Sequence, residues 1–207
     1  MFDRPGFGAS TRLPERGISV VADDAAELLD YLGLERVHAI GASGGGPHVL
    51  ALGSRHPDRV RAATVVVGGA QDEEEDVQGL IGLNRKAWYA ARTGWQELYD
   101  LIAPIRDALV SDPLAQFREI MDSAPASDAA VMQDADWQGV FCEDIREALR
   151  TGAEGWTDEG LALSRRWDFD PAQVSCSLTW WHGEDDPAAP ISAVKRLLTI
   201  MRSEGVV

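Results

Sequence analysis

Ser43 is the residue whose surroundings most favour nucleophilic chemistry. It lies in the glycine-rich run Gly41 to Gly46, between the apolar run Val37 to Ile40 and a stretch with helical spacing. A hydroxyl is a weak nucleophile at neutral pH, so it needs exposure, a base, and donors for the oxyanion that forms on attack. A G-x-S-x-G pattern at a strand-to-helix turn supplies the exposure and predicts a nucleophile elbow.

The glycines around Ser43 have a predicted structural reason. Gly41 and Gly45 remove side chains that would clash in a strained turn, and the backbone N–H of Gly44, at the start of the next helix, is the predicted oxyanion donor. Two other glycine-rich loops are alternatives. A phosphate-binding loop would need Lys followed by Ser or Thr, and Ser43 occupies the place of the second glycine in G-x-G-x-x-G. The residues therefore favour the elbow.

Composition bounds the class of protein. The 207 residues, 45% hydrophobic and 26% charged, can bury a sizeable core as one domain, with or without an insertion. A formal net charge of -15 argues against nucleic acid or an anionic membrane as partner. No apolar stretch approaches the roughly 20 residues that span a bilayer, and the N-terminus lacks signal-peptide features, so we expect a cytoplasmic protein.

The sequence contains two cysteines, Cys142 and Cys176. They form neither a close-spaced metal pair nor a disulfide framework, so we expect reduced thiols without a functional role.

Helices and strands alternate in the predicted core. Ser19 can cap a helix over 20–32, and the helix after the elbow should stop before Pro57. Two runs, Val37 to Ala42 and Ala62 to Val67, are typical of buried strands in a mostly parallel sheet. Near the C-terminus the pattern predicts a strand over 174–181 and a last helix that opens at Pro190.

The segment between these two parts differs in character. From 71 to 165 the chain has helical periodicity and many acidic residues and tryptophans, which favours an inserted helical cap. The predicted cap helices are 85–92, 95–110, 114–121 and 144–149. We expect the acidic run Asp72 to Asp76 to be a solvated loop or first helical turn without a functional role. The predicted core then comprises 1–70 and 166–207.

Two further segments make a family resemblance specific. The run Asp3 to Ser10 reads D-R-P-G-F-G-A-S, and Trp181 to Pro190 reads W-H-G-E-D-D-P-A-A-P. With the elbow between them, they resemble loops of the α/β-hydrolase superfamily in the same order. The resemblance covers nearly the whole chain and implies a partial α/β-hydrolase fold of the capped, serine-hydrolase type. The resemblance implies that Asp186 is the acid of a catalytic triad, with Asp185 as the alternative acid.

The departures from the family pattern concern both ends of the chain. The family has strands and a second oxyanion donor before the D-R-P-G loop, and its catalytic His follows the acid, whereas no His follows Asp186 here. We therefore expect a chain truncated at both ends, a fragment with an exposed sheet edge through which it could associate. The histidines His38, His48 and His56 are expected in packing or surface roles, and His182 is the alternative base.

The sequence thus predicts a serine hydrolase acting on an ester or amide through an acyl-Ser43 intermediate. Without the triad His and second oxyanion donor, this chain is expected to be inactive or weakly active. The alternative is a non-catalytic domain that binds a small molecule or a protein. No metal or organic cofactor is implied, because the mechanism needs only protein groups and water. The sequence leaves the substrate open.

Overall fold

The computed structural model describes residues 2–69, 74–77, 80, 82–115, 133–184, 186 and 189–202. Three predictions reach beyond these residues: the helix over 114–121 from 116 onward, the start of the acidic run, and Asp185. In chain order the elements are α1 (Ser19–Tyr31), β1 (Val37–Ala42), α2 (Gly45–Arg55), β2 (Val60–Val66), α3 (Glu74–Val77), α4 (Gly82–Thr93), α5 (Trp95–Ser111), α6 (Ala135–Ala148), α7 (Glu154–Ser164), β3 (Ser177–Trp181) and α8 (Ile191–Arg202). Short 3-10 turns, Pro57–Arg59 and Pro171–Gln173, precede β2 and β3.

The three strands form a parallel sheet in the order β1-β2-β3. The predicted parallel sheet is therefore confirmed, with β2 in the middle. Among the described residues, β1 has a neighbouring strand on one side only. Parallel strands need a crossover between them, and α2 provides it between β1 and β2.

The two faces of this sheet differ in burial. Ala63 and Val65 of β2 are buried in one cluster with Leu50 of α2. On the opposite face, Ile40 of β1 is 73% exposed and Trp181 of β3 is 67% exposed. Alternate side chains of a strand point to opposite faces, so among the described residues one face of the sheet is packed, while on the other Thr64 and Val66 of β2 are half-buried and Ile40 and Trp181 of the outer strands are exposed.

The start of α1 is held by a residue distant in sequence. The helix begins at Ser19 rather than after it, and Ser19 makes no capping hydrogen bond of the predicted kind. Instead, the N–H groups of Ile18 and Ser19 both donate to Asp168 Oδ1 at 3.0 Å. Burial raises the pKa of Asp168, but its hydrogen bonds from Ser19 and Ile18 outweigh burial and lower the pKa overall. A carboxylate distant in sequence therefore accepts hydrogen bonds from N–H groups at the start of α1.

The chain divides into two compact units. One comprises 15–92 and 160–207 and contains the sheet; the other comprises 1–14 and 93–159. In the second unit, the guanidinium of Arg12 donates to both carboxylate oxygens of Asp158 at 2.6 and 3.1 Å, and Arg150 Nε donates to the carbonyl of Gly8 at 2.8 Å. The division into a core of 1–70 and 166–207 and a cap of 71–165 stays a prediction.

None of the described helices combines the length and the apolar character that a membrane crossing requires.

Candidate active site

Ser43 lies directly between β1 and α2 and is exposed. Its φ is +49°, in the left-handed region that non-glycine residues rarely adopt. The backbone holds this conformation: the N–H of Ser43 donates to the carbonyl of Val66 at 3.0 Å, and its own carbonyl accepts from Gly46 at 3.0 Å and Gly69 at 3.3 Å. A strained serine in a strand-turn-helix is the arrangement that presents a nucleophile to substrate.

The surrounding glycines have unequal roles. A Cβ on Gly41 would lie 2.3 Å from the carbonyl oxygen of Gly45, which no real Cβ tolerates. A Cβ on Gly45 itself would meet nothing within 4 Å. Gly46, which the sequence reasoning did not single out, would place a Cβ 3.0 Å from the Cα of Gly68. Gly41 therefore allows the close approach of β1 to the first turn of α2, and Gly46 allows that of α2 to the segment after β2.

Gly44 is the residue before the first turn of α2. It has helical dihedral angles, φ −57° and ψ −15°. The N–H groups at a helix start carry the positive end of the helix dipole and stabilise nearby negative charge. The position of Gly44 suits the predicted oxyanion donor, and this role stays a prediction.

A second strained residue lies next to the elbow. Val67 follows the last residue of β2 and has φ +44°, a true outlier for a β-branched residue. Its N–H donates to the carbonyl of Trp181 at 2.7 Å. Sequence reasoning missed this position, because valine fits the strand pattern and nothing local indicates a turn.

Asp186 lies on the segment between β3 and α8, which we call the acid loop and whose described residues are 182–184, 186, 189 and 190. The N–H of Asp186 donates to the carbonyl of Gly183 at 3.4 Å. Its Oδ1 accepts the N–H of Ala189 at 3.2 Å. The carboxylate is therefore fixed by its own loop and is partly buried, with 19% of the side chain exposed.

Ser43 and Asp186 follow the carboxyl ends of β1 and β3. Because all three strands are parallel, these ends lie at the same edge of the sheet. Two strand spacings, about 10 Å, separate β1 from β3. That edge is where ligands bind in open α/β sheets.

The helix that follows the acid loop, α8, is held by a residue of the acidic run. Asp76 is buried, with 3% of its side chain exposed, and it pairs with Arg196 of α8. The hydroxyl of Ser192 also donates to its Oδ1. Of the two alternatives expected for the acidic run, Glu74 to Asp76 form the first helical turn, that of α3, but Asp76 is not solvated, since a basic partner 120 residues away satisfies its charge. Such a distant partner leaves no local sequence pattern.

All four histidines of the chain are described. His38 lies on β1, five residues or about 16 Å of extended chain before Ser43; His48 is buried in α2; and His56 Nε2 lies 2.8 Å from Asp23 Oδ1. His182 is in the acid loop, where its Nε2 lies 2.8 Å from the carbonyl of Ala189. None of these contacts orients an imidazole from Asp186 towards Ser43.

The described residues also bear on metal binding. They contain no group of three or more His, Cys, Asp or Glu side chains placed to hold a metal ion.

Comparison with known proteins identifies the family. A sequence model described as the alpha/beta hydrolase fold matches residues 1–199. The chain belongs to the α/β-hydrolase family. The resemblance drawn from the elbow, the Asp3 to Ser10 run and the acid loop is thus confirmed. So is the partial α/β-hydrolase fold.

This α/β-hydrolase is similar to one sequence relative and to one solved structure described below. It is 29% identical over 194 residues to a 2-hydroxymuconate semialdehyde hydrolase of Pseudomonas putida, covering 86% of this chain and 63% of that protein. The enol-lactonase from Burkholderia xenovorans LB400 shares its fold with a TM-score of 0.60 at 19% identity, covering 96% of this chain and 66% of the other. The chain thus spans less than two thirds of these relatives' length.

Proposed function

We propose that this protein is a serine hydrolase that cleaves an ester or amide. Ser43 attacks the carbonyl carbon, the N–H of Gly44 stabilises the oxyanion, and Asp186 orients the general base. The observation that carries the proposal is the strained, exposed Ser43 at the sheet edge that also carries Asp186.

The reaction proceeds in two halves. The Ser43 hydroxyl loses its proton to the base as its oxygen bonds to the substrate carbonyl, and the tetrahedral intermediate collapses with protonation and loss of the alcohol or amine. Water then attacks the acyl-Ser43 ester, and the acid and free hydroxyl are released. The hydrolases among the relatives support this reaction class.

We further propose that residues 1–207 by themselves react slowly. His38 and His48 lie within β1 and α2; His56 contacts Asp23, and the contacts of His182 involve both of its ring nitrogens. A positioned base contributes about 10²–10⁴-fold to such reactions. A base supplied to Ser43 and Asp186 from elsewhere should therefore raise the rate.

Labelling with a fluorophosphonate, with and without added imidazole, tests both statements. Intact mass and peptide mapping should show one label, on Ser43. Imidazole should accelerate the labelling reaction at least about tenfold, but by less than the full rate contribution of a positioned base. Ser43→Ala should abolish the label. The matched control Ser54→Ala should leave it unchanged, because the Ser54 hydroxyl is in α2 and donates to the carbonyl of Asp170.

A second candidate is a non-catalytic domain that binds a small molecule or a protein. It is favoured by the contact of His182 with the carbonyl of Ala189, which keeps this imidazole from acting as a base, and by the exposed sheet face that carries Ile40 and Trp181. The same experiment separates the candidates. Labelling of Ser43 contradicts the binding domain, whereas a folded chain that imidazole does not render reactive contradicts the hydrolase.

A further inference from the structure

His182 is the most constrained polar side chain of the acid loop. Only 3% of it is exposed. Its Nε2 lies 2.8 Å from the carbonyl oxygen of Ala189, and its Nδ1 accepts from Trp180 Nε1 at 3.4 Å. A carbonyl can only accept and an indole N–H can only donate, so these partners require the proton on Nε2 and a lone pair on Nδ1. His182 is therefore held as one neutral tautomer.

The partner of His182 is also the partner of Asp186. Ala189 accepts from His182 through its carbonyl and donates through its N–H to Asp186 Oδ1 at 3.2 Å. The direct approach of His182 Nε2 to Asp186 Oδ2, 3.9 Å, is too long for a hydrogen bond. The connection from His182 to the carboxylate thus runs through the backbone of Ala189.

We propose that His182 is a positioning residue for Asp186. By fixing Ala189 it holds in place the N–H that donates to Asp186 Oδ1, and this hydrogen bond keeps the carboxylate in the orientation needed to align a base with Ser43. This inference rests on the proposed role of Asp186. It gives His182 a function that needs the imidazole neutral and inward, which is incompatible with His182 taking the proton from Ser43.

Two amide substitutions separate the contacts of His182. In His182→Gln the side-chain nitrogen reaches the place of Nε2 and can still donate to Ala189. In His182→Asn the shorter amide can accept from Trp180 but does not reach Ala189. If His182 positions Asp186, His182→Gln should keep the properties of the wild-type loop and His182→Asn should lose them. If His182 only fills space, the two substitutions should have similar effects.

The first measurement is amide hydrogen exchange by NMR, which does not depend on catalysis. The Ala189 and Asp186 amides should exchange roughly three- to tenfold faster in His182→Asn, the effect of losing one hydrogen bond, and at near wild-type rates in His182→Gln. The amide of Leu50, buried in α2, should be unchanged in both. Equal Ala189 exchange in wild type and His182→Asn would overturn the proposal.

The second measurement is imidazole-dependent labelling of Ser43. His182→Asn should slow it roughly three- to tenfold, His182→Gln should not, and neither substitution should have any further effect in an Asp186→Asn background. Slowing that persists in that background means His182 acts independently of Asp186 and contradicts the proposal. If wild-type Ser43 is never labelled, the proposed function fails, while the exchange result still decides whether His182 fixes the loop.

A measurement on the unaltered chain covers the case in which His182→Asn does not fold. The ¹⁵N spectrum of the His182 imidazole should show the neutral tautomer protonated at Nε2. A proton on Nδ1, or a protonated ring at neutral pH, overturns the proposal.

Discussion

The elbow and the acid loop lie at the same sheet edge but are built in different ways. The elbow is held by backbone hydrogen bonds of Ser43 and by glycines that let two segments approach closely. The acid loop is held by side chains, with His182 and Asp186 both bonded to Ala189. A site held by backbone contacts depends on glycines, which have no side chain to clash. A site held by side chains depends on the specific partners of those side chains.

The largest expected effect is at Gly41 in the elbow. Gly41→Ala places a methyl group 2.3 Å from the backbone oxygen of Gly45. A backbone atom cannot move aside as the end of a flexible side chain can. Overpacking commonly costs about 1–3 kcal/mol and occasionally more, and we expect about 3 kcal/mol or more here, measured by urea unfolding.

The matched control for Gly41 is the other motif glycine. Gly45→Ala enters open space at the start of α2, so we expect no loss and up to about 1 kcal/mol of gain. Equal destabilisation by the two substitutions would contradict the steric account of the elbow.

A smaller effect is expected at Asp76, which holds α8, the helix directly after the acid loop. Asp76→Ala leaves Arg196 without its buried carboxylate and removes the acceptor of Ser192. We expect a loss of about 2–3 kcal/mol in the free energy of unfolding, less than for a fully buried pair because Arg196 is 38% exposed. Amide exchange should accelerate at Ala189 and not at Gly46.

The neighbour Glu75 is the control for Asp76. It is exposed, so Glu75→Ala should change the free energy of unfolding by less than about 0.5 kcal/mol. A similar effect of both substitutions would mean that the net negative charge of the run, rather than the contact of Asp76 with α8, determines stability.

The difference in construction explains what the sequence could predict. The elbow is local: Gly41, Ser43 and the flanking β1 and α2 are adjacent in the chain, so spacing alone predicts the turn. The supports of α8 and of α1 are distant in sequence, as with Asp76 and Arg196 or Asp168 and Ser19. Such pairs leave no periodic pattern, and Val67 shows that strain can occur at a residue typical of strands.

The smallest expected effect concerns the strain stored at Ser43. Its φ of +49° costs an L-residue about 1–2 kcal/mol relative to glycine. Ser43→Gly should relieve that cost, but a glycine also loses about 0.5–1 kcal/mol more conformational entropy on folding. We therefore expect a net gain of about 0.5–1 kcal/mol over Ser43→Ala, which keeps a Cβ and hence the strain. If Ser43→Gly is no more stable than Ser43→Ala in urea unfolding, the left-handed conformation of Ser43 costs the elbow nothing, and the account of a strained elbow beside an acid loop held by side chains is contradicted.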